Sequence, residues 1–264
     1  MAVDRRTFLK ISSLTALGAA GGGGALLARR ALAASGGIVP PGTALTAARW
    51  AMVIDIRKCL EGDILRRVVE ACNKAHNVPD IPVKEGGPDR GIKWIWDEPF
   101  ENVFPSQFHD KLQKELGHAR VLTLCNQCSN PPCVRVCPTK ATFQRPDGIV
   151  AMDMHRCIGC RFCMAACPYG SRSFNWIDPR PYIENISSHV PTRTKGVVEK
   201  CNFCTERLAE GKPPACVEAA GATGALVFGD LEQENSDVRK LLDAHFTIRR
   251  KPELGTEPAV YYIV

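Results

Sequence analysis

The sequence reads CNQCSNPPCVRVCP over residues 125–138 and CIGCRFCMAACP over residues 157–168. The first stretch has the spacing C-x2-C-x4-C-x3-C-P, and the second has C-x2-C-x2-C-x3-C-P. The second spacing is that of bacterial ferredoxins, in which three close cysteines bind one 4Fe–4S cluster and the fourth binds the neighbouring cluster. A third run, C-x2-C-x11-C, covers residues 201–216. The pattern therefore predicts several 4Fe–4S clusters.

If the fourth cysteine of each run binds the neighbouring cluster, each of three clusters can be given four cysteine ligands. The third run lacks a fourth cysteine, and Cys72, on a predicted amphipathic helix over residues 64–75, is the candidate that completes it. The predicted ligands are Cys125, Cys128, Cys133 and Cys167 for cluster A, Cys157, Cys160, Cys163 and Cys137 for cluster B, and Cys201, Cys204, Cys216 and Cys72 for cluster C. Three clusters use twelve of the thirteen cysteines and leave Cys59 over.

Zinc is the main alternative, because a single C-x-x-C pair is also typical of sites in which four ligands surround one zinc ion. If zinc bound at every site, the protein would be a zinc-stapled structural module. A narrower alternative applies to the third run alone, which would then bind zinc or a three-iron cluster. For Cys72 the alternative is a buried cysteine on an apolar helix face. Two complete runs that end in Cys-Pro favour clusters over zinc.

The rest of the composition is that of an ordinary globular protein, with 45% hydrophobic and 23% charged residues in 264. The formal net charge is +6, but five of the 34 basic and one of the 28 acidic residues fall within residues 1–33, which leaves +2 for the remainder. Such a balance does not predict nucleic-acid binding. No P-loop, dinucleotide fingerprint or catalytic-triad pattern is present, so we expect no small-molecule substrate and no catalysis by the protein itself.

Residues 1–33 predict export. Arg5 and Arg6 form a twin-arginine motif, a glycine-rich apolar stretch follows, and an A-x-A sequence predicts cleavage after Ala33. This route carries folded proteins, which suits clusters inserted in the cytoplasm. We expect the mature protein to be periplasmic and attached to the cytoplasmic membrane through partner subunits; a retained N-terminal anchor is the alternative.

Side chains beside the cysteines are expected to have ordinary structural roles. Phe162, Tyr169 and Trp176 are predicted to lie in the core rather than to relay electrons. Lys200 and Arg161 are each expected to be solvated charges, with a docking face or a higher cluster potential as the alternative.

The cysteine runs and their flanks resemble the iron–sulfur subunits of dimethyl-sulfoxide-reductase, polysulfide-reductase and nitrate-reductase (NrfC/PsrB-like) complexes. The likeness covers residues 51–242, and its most specific segments are residues 125–128, 131–133, 147–150, 156–163, 167–170 and 200–204. The family implies an α+β fold of two ferredoxin-like 4Fe–4S units, a duplicated bacterial-ferredoxin fold with loop insertions and a C-terminal extension. The expected division is a signal peptide (1–33), a flexible lead-in (34–48), a one-cluster unit (49–76 plus 196–231), an insertion (77–120), a two-cluster unit (121–180) and a C-terminal extension (232–264).

The sequence departs from the family pattern at the ligands of one cluster. Cys59 begins the family's first run, but Gly62 stands in place of its second cysteine, and Ala220 replaces the last cysteine of the fourth run. In the family the cluster that needs these ligands lies nearest the molybdopterin subunit, so its loss argues against a molybdenum partner.

The resemblance thus implies an electron-transfer subunit with three 4Fe–4S clusters in a respiratory or sulfur-metabolism complex. The sequence also resembles the periplasmic iron–sulfur subunit of the DsrMKJOP complex of sulfur-metabolising prokaryotes. The implied partners are a quinone-interacting (NrfD/PsrC-type) membrane subunit and a multihaem cytochrome c. An electron-transfer subunit of an exported molybdopterin oxidoreductase is the alternative.

Overall fold

The computed structural model describes residues 42–82, 91–107 and 110–264, and Thr43–Val264 form one compact unit. The predicted signal peptide, with Arg5, Arg6 and the cleavage site after Ala33, lies outside the described residues, as does part of the predicted lead-in. Within the described ranges, no helix has the length and apolar character needed to cross a bilayer.

Helices and strands are mixed along the sequence, so the fold is α+β, as predicted. The strands are β1 (Trp50–Asp55), β2 (Ile95–Pro99), β3 (Arg120–Leu124), β4 (Thr142–Gln144), β5 (Val150–Met152), β6 (Ser173–Phe174), β7 (Val198–Glu199), β8 (Leu226–Asp230), β9 (Thr247–Ile248) and β10 (Val260–Ile263). The α-helices of the described residues are α1 (Ile56–Cys59), α2 (Ile64–Ala75), α3 (Phe100–Val103), α4 (Asp110–Leu116), α5 (Pro132–Arg135), α6 (Phe162–Ala165), α7 (Thr205–Ala209), α8 (Ala215–Ala220) and α9 (Asp237–Ala244).

The largest sheet has four strands in the order β8-β1-β10-β9. Strand β1 pairs antiparallel with β8, where Met52 lies opposite Phe228, and parallel with β10, where Val53 lies opposite Tyr261. Successive side chains of a strand point to opposite faces of the sheet. Met52 therefore enters the main core, and Val53 belongs to a second apolar cluster on the side of helix α9.

Three two-stranded sheets, β2-β3, β4-β5 and β6-β7, carry the segments around the first two cysteine runs. Strand β3 ends at Leu124, directly before Cys125. The antiparallel pair β4-β5 lies between Cys137 and Cys157, and its turn places Gly148 at a φ of +82°, a conformation that glycine adopts readily.

Helix α2 has the bounds predicted from its apolar spacing. Ile64, Val68 and Cys72 are its buried residues, and the helix packs against α8. Because Cys216 lies on α8, this packing brings the segment of residues 64–75 against the third cysteine run.

The segment expected to be a C-terminal extension contributes to the main sheet. Helix α9 begins at Asp237, and the protein then returns to form β9 and β10. Strand β10 lies between β1 and β9. A four-residue apolar segment carries too little periodicity to identify a strand from sequence, which is why β10 was not predicted.

Candidate metal centres

Four cysteines from both of the first two runs line one cavity, called site A. Cys125, Cys128, Cys133 and Cys167 line it together. Burial raises the pKa of the Cys128 thiol to about 12, and negative charge on the other three adds to the shift. These are the four residues that the crosswise assignment grouped as cluster A.

The loop that carries the first ligands of site A is held by Gln127. This residue is buried, at 1% exposure, and has a φ of +46°. Its side-chain Nε2 donates to the carbonyl of Cys201 at 3.0 Å, and its Oε1 accepts from the backbone N–H of Val150 at 2.8 Å. The loop is thereby fixed both to β5 and to the third cysteine run.

A second cavity, site B, is lined by Cys137, Cys157, Cys160 and Cys163. These are the predicted ligands of cluster B. Although burial acts to raise it, hydrogen bonds hold the pKa of the Cys137 thiol below its ordinary value; the backbone N–H of Thr142, 3.5 Å away, is one of the donors. A sulfur that accepts such bonds is prepared to exist as a thiolate.

The cysteine loop of site B depends on Gly159. Its φ is +69°, and a Cβ built there would lie 2.4 Å from the carbonyl oxygen of Gly196. Real Cβ atoms do not approach backbone so closely, so the loop can press against the turn before β7 only with glycine at this position.

Site B is the most exposed of the cysteine sets. Cys160 is exposed, and Cys137 and Cys157 are half-buried. Phe162 and Trp176 are 59% and 38% exposed, so the prediction that they lie in the core is wrong. The prediction for Tyr169, which is 5% exposed, is confirmed.

The third set, site C, consists of Cys72, Cys201, Cys204 and Cys216, all buried. Burial raises the pKa of Cys72 well above its ordinary value, and charge on the other three cysteines raises it further. Cys72 thus lies within electrostatic range of the other three cysteines, and these are the four residues that the sequence analysis grouped as cluster C.

Site C also contains a histidine that the spacing did not indicate. His76 lies four residues after Cys72, one helical turn further on, and its Nε2 is 3.0 Å from Cys204 Sγ. Its ring stacks on Trp94 with centroids 4.2 Å apart. Burial, followed by the charge of Arg193, lowers the pKa of His76 to about 3, so the ring is neutral and can donate one N–H to the sulfur.

Cys59 lies apart from these sets. It is 1% exposed within the main apolar core, and its thiol lies 3.8 Å from the carbonyl of Ala225. Burial, with a smaller contribution from the Asp55 carboxylate, raises the pKa of Cys59 to about 12. The residue therefore behaves as a neutral core thiol.

A single zinc ion sets a strict geometry for its four ligands. Four thiolates around one zinc lie about 2.3 Å from it, so their sulfurs lie about 3.8 Å apart in a tetrahedron. Within the described residues, no group of three or more His, Cys, Asp and Glu is arranged to hold a single metal ion. Burial and mutual repulsion raise the pKa of most of these thiols, and bound iron supplies the positive charge that keeps them deprotonated.

Comparison with known proteins agrees with this chemistry. Residues 120–180 match a 4Fe-4S dicluster domain. The sequence is 41% identical over 281 residues to the Hdr-like menaquinol oxidoreductase iron-sulfur subunit 1 of Archaeoglobus fulgidus, covering 98% of this sequence and 97% of that protein. It is 34% identical over 236 residues to the menaquinone reductase iron-sulfur cluster-binding subunit of Nitratidesulfovibrio vulgaris, with 81% and 88% covered. The matching polypeptide of Wolinella succinogenes polysulfide reductase is 41% identical over 140 residues, with 53% and 64% covered.

The likeness to the Archaeoglobus subunit extends over nearly the whole of both proteins, and several relatives are iron–sulfur subunits by name. The protein therefore belongs to the polysulfide reductase and NrfC (PsrB/NrfC) family of iron–sulfur subunits.

Proposed function

We propose that this protein is an electron-transfer subunit with three 4Fe–4S clusters, bound at sites A, B and C by the twelve cysteines named above. When bound, each cluster takes up and releases one electron. The observation that carries the proposal is the exchange of ligands between runs: Cys167 lines the cavity of the first run, and Cys137 lines that of the second. Crosswise ligation of this kind is the mark of two-cluster ferredoxins.

The three sites follow one another in the order C, A, B. Helices α5 and α6, which carry Cys133 of site A and Cys163 of site B, pack together. On the other side, charge on Cys125 of site A raises the pKa of Cys201 of site C, after the larger effect of burial. Adjacent sites make the protein a continuous path, and its residues supply thiolates, burial and hydrogen bonds to sulfur that set the potentials.

The number of clusters is supported by the surroundings of Cys59. The family pattern would require further ligands at the positions of Gly62 and Ala220, and neither has a side chain that binds metal. Ala220 is 1% exposed and lies in the same apolar core as Cys59. A packed core at this position is consistent with three clusters.

Site B carries the proposed contact with a redox partner. Apolar side chains of its cysteine loop stand exposed: Ile158 at 67% and Phe162 at 59%. Exposed apolar patches of this kind mark interaction surfaces. Relatives are named for menaquinol and menaquinone reactions, and we assign this face to a quinone-interacting membrane subunit.

Two further parts of the proposal rest on the sequence and the family. A multihaem cytochrome c is the second partner, as in the complex of sulfur-metabolising prokaryotes that the sequence resembles. The twin-arginine signal places the complex on the periplasmic side. Of the two ferredoxin-like units expected from the family, the two-cluster unit (residues 121–180) would hold sites A and B. The one-cluster unit (residues 49–76 plus 196–231) would hold site C.

Iron and acid-labile sulfide per protein, with electron paramagnetic resonance (EPR) after dithionite reduction, test the proposal on anaerobically purified protein. We expect about twelve of each. Cys72→Ala should lose the signal of site C, whereas the matched variant Cys59→Ala should keep the full content because Cys59 lies in the core. A colourless zinc protein, or a Cys72→Ala variant with unchanged iron, would refute the assignment.

A further inference from the structure

Arg172 lies in the wall between site A and site B. Its side chain lines the cavity of site A. Its Nη1 donates to Thr142 Oγ1 at 3.1 Å and lies 3.9 Å from Met152 Sδ, and both of these residues line the cavity of site B. At 5% exposure, its charge is shielded from solvent and acts on both cavities.

The positive charge of Arg172 is balanced by cysteine rather than by carboxylate. Among the ion pairs of the described residues, none includes Arg172, and its buried Nη2 has no hydrogen-bond partner there. Burial lowers the pKa of Arg172, but the combined effect of the neighbouring cysteines, Cys133, Cys163 and Cys125, outweighs it, so the pKa is raised.

A guanidinium is planar, carries five N–H donors and keeps its charge at every physiological pH. One edge can therefore face a sulfur of site A while the other faces a sulfur of site B. Lysine offers a single charge at one point and cannot span two sulfurs in this way.

We propose that Arg172 is a shared positioning residue, whose guanidinium lies between Cys133 of site A and Cys163 of site B and raises the reduction potentials of both clusters together. The inference rests on the proposed function, because it requires clusters at both sites. Reduction adds one negative charge to a cluster, and a buried cation favours that added charge. A cation common to two neighbouring clusters shifts both potentials in the same direction, so it makes both clusters easier to reduce without opening a gap between them.

The test is an EPR-monitored redox titration of the full-length protein and three variants. Arg172→Gln removes the charge. Arg172→Lys keeps the charge but loses the planar group with its several N–H donors. Arg135→Gln is the matched control, because Arg135 is two residues from Cys133 but exposed, where water and salt screen its charge. Iron and sulfide content is measured on each sample, so that loss of a cluster is distinguished from a change of potential.

In Arg172→Gln we expect the potentials of sites A and B to fall together, by on the order of tenfold in the reduction equilibrium, which is about 59 mV for a one-electron couple. The potential of site C should stay unchanged, and all three sites of Arg135→Gln should have the potentials of the parent protein. Arg172→Lys should shift sites A and B unequally, because one ammonium serves one sulfur better than the other.

A fully loaded Arg172→Gln protein with unchanged potentials would overturn the inference and leave the three-cluster proposal intact. If Arg172→Gln does not assemble its clusters, the potentials of sites A and B in Arg172→Lys test the inference instead. Unequal shifts support the shared guanidinium, and parental potentials at both sites refute it. A parent protein without clusters would refute the proposed function itself.

Discussion

Replacing Gly159 by alanine should abolish assembly of site B, and the reason lies in one contact. The φ of +69° at this residue and the 2.4 Å between a built Cβ and Gly196 O penalise any side chain twice. The left-handed conformation costs an L residue about 1–2 kcal/mol, and forcing extra atoms into packed structure costs about 1–3 kcal/mol more. Lower entropy of the unfolded state offsets about 0.4–1 kcal/mol. The net penalty is thus about 1–5 kcal/mol.

Gly170→Ala separates the two costs. Gly170 has a nearly equal φ of +63°, but a Cβ there meets nothing within 4 Å. Gly170 lies three residues after Cys167 of site A, and Gly159 directly precedes Cys160 of site B. Both variants therefore change a glycine close to a proposed cluster ligand. Gly170→Ala should cost only the conformational term, about 1 kcal/mol or less after the entropy offset.

Iron and sulfide analysis, EPR and denaturant unfolding of both variants provide the assay. Gly159→Ala should fall from about twelve to about eight irons per protein, since one cubane holds four, with the signal of site B lost. Gly170→Ala should keep the full content and unfold at slightly lower denaturant. The reasoning fails if both variants are fully loaded and unfold at the same denaturant concentration.

Three further predictions concern buried groups. His76→Leu removes a hydrogen bond to the sulfur of Cys204, so the reduction potential of site C should fall while the potentials of sites A and B stay unchanged. An EPR-monitored redox titration measures all three. Glu199→Gln leaves Arg193 unpaired in a pair whose side chains are 0% and 1% exposed; it should cost about 3–5 kcal/mol in denaturant unfolding, whereas Asp178→Asn, in an exposed pair, should have little effect. Cys59, with a pKa of about 12, should resist iodoacetamide in the folded protein at neutral pH and react once the protein is unfolded. Because this folded pKa lies above the unfolded value, the stability that Cys59 confers should hold at neutral pH and decline as the pH rises from 9 towards 12.

The cysteine sets could be predicted from sequence because cluster ligation is local in spacing. Cysteines three apart wrap one cubane, and the Cys-Pro end of each run binds its partner; the cavities lined by Cys167 and Cys137 follow this rule. The helix over residues 64–75 was equally predictable, because its buried residues recur at helical spacing.

Other parts of the sites could not be predicted from spacing because they come from distant segments. His76 carries a local signal, since it lies one helical turn after Cys72, but a lone histidine is not distinctive. Arg172 acts on Cys133 and Cys163, which belong to different runs. Thr256, from the C-terminal segment, hydrogen-bonds the hydroxyl of Tyr169 and lowers the pKa of Cys128 against burial. No periodicity in the sequence links such residues to the cysteines.

Phe162 and Trp176 were misjudged for a different physical reason. Aromatic side chains are usually buried, and sequence alone cannot identify a surface that a partner covers. Phe174 and Trp176 pack edge to face with centroids 4.7 Å apart, and the guanidinium of Arg161 lies 4.7 Å from the Trp176 ring centre. The exposed aromatic surface is therefore held in a fixed arrangement beside Cys160.

Exposure of the cysteines rises along the path from site C through site A to site B. All four cysteines of site C are buried, three of the four in site A are buried, and in site B only Cys163 is. Burial in a medium of low polarity disfavours added negative charge, and neighbouring cations oppose that effect. The buried cations follow the same path. Lys200 is 2% exposed, so the prediction that it is a solvated charge is wrong, and it donates to the carbonyl of Cys201 at 2.8 Å. Arg172 lies between sites A and B. Sites C and A thus have buried cations of the protein beside them, whereas site B has exposed sulfur and an apolar rim. Under the proposed function, the partner subunit that docks at site B completes its environment.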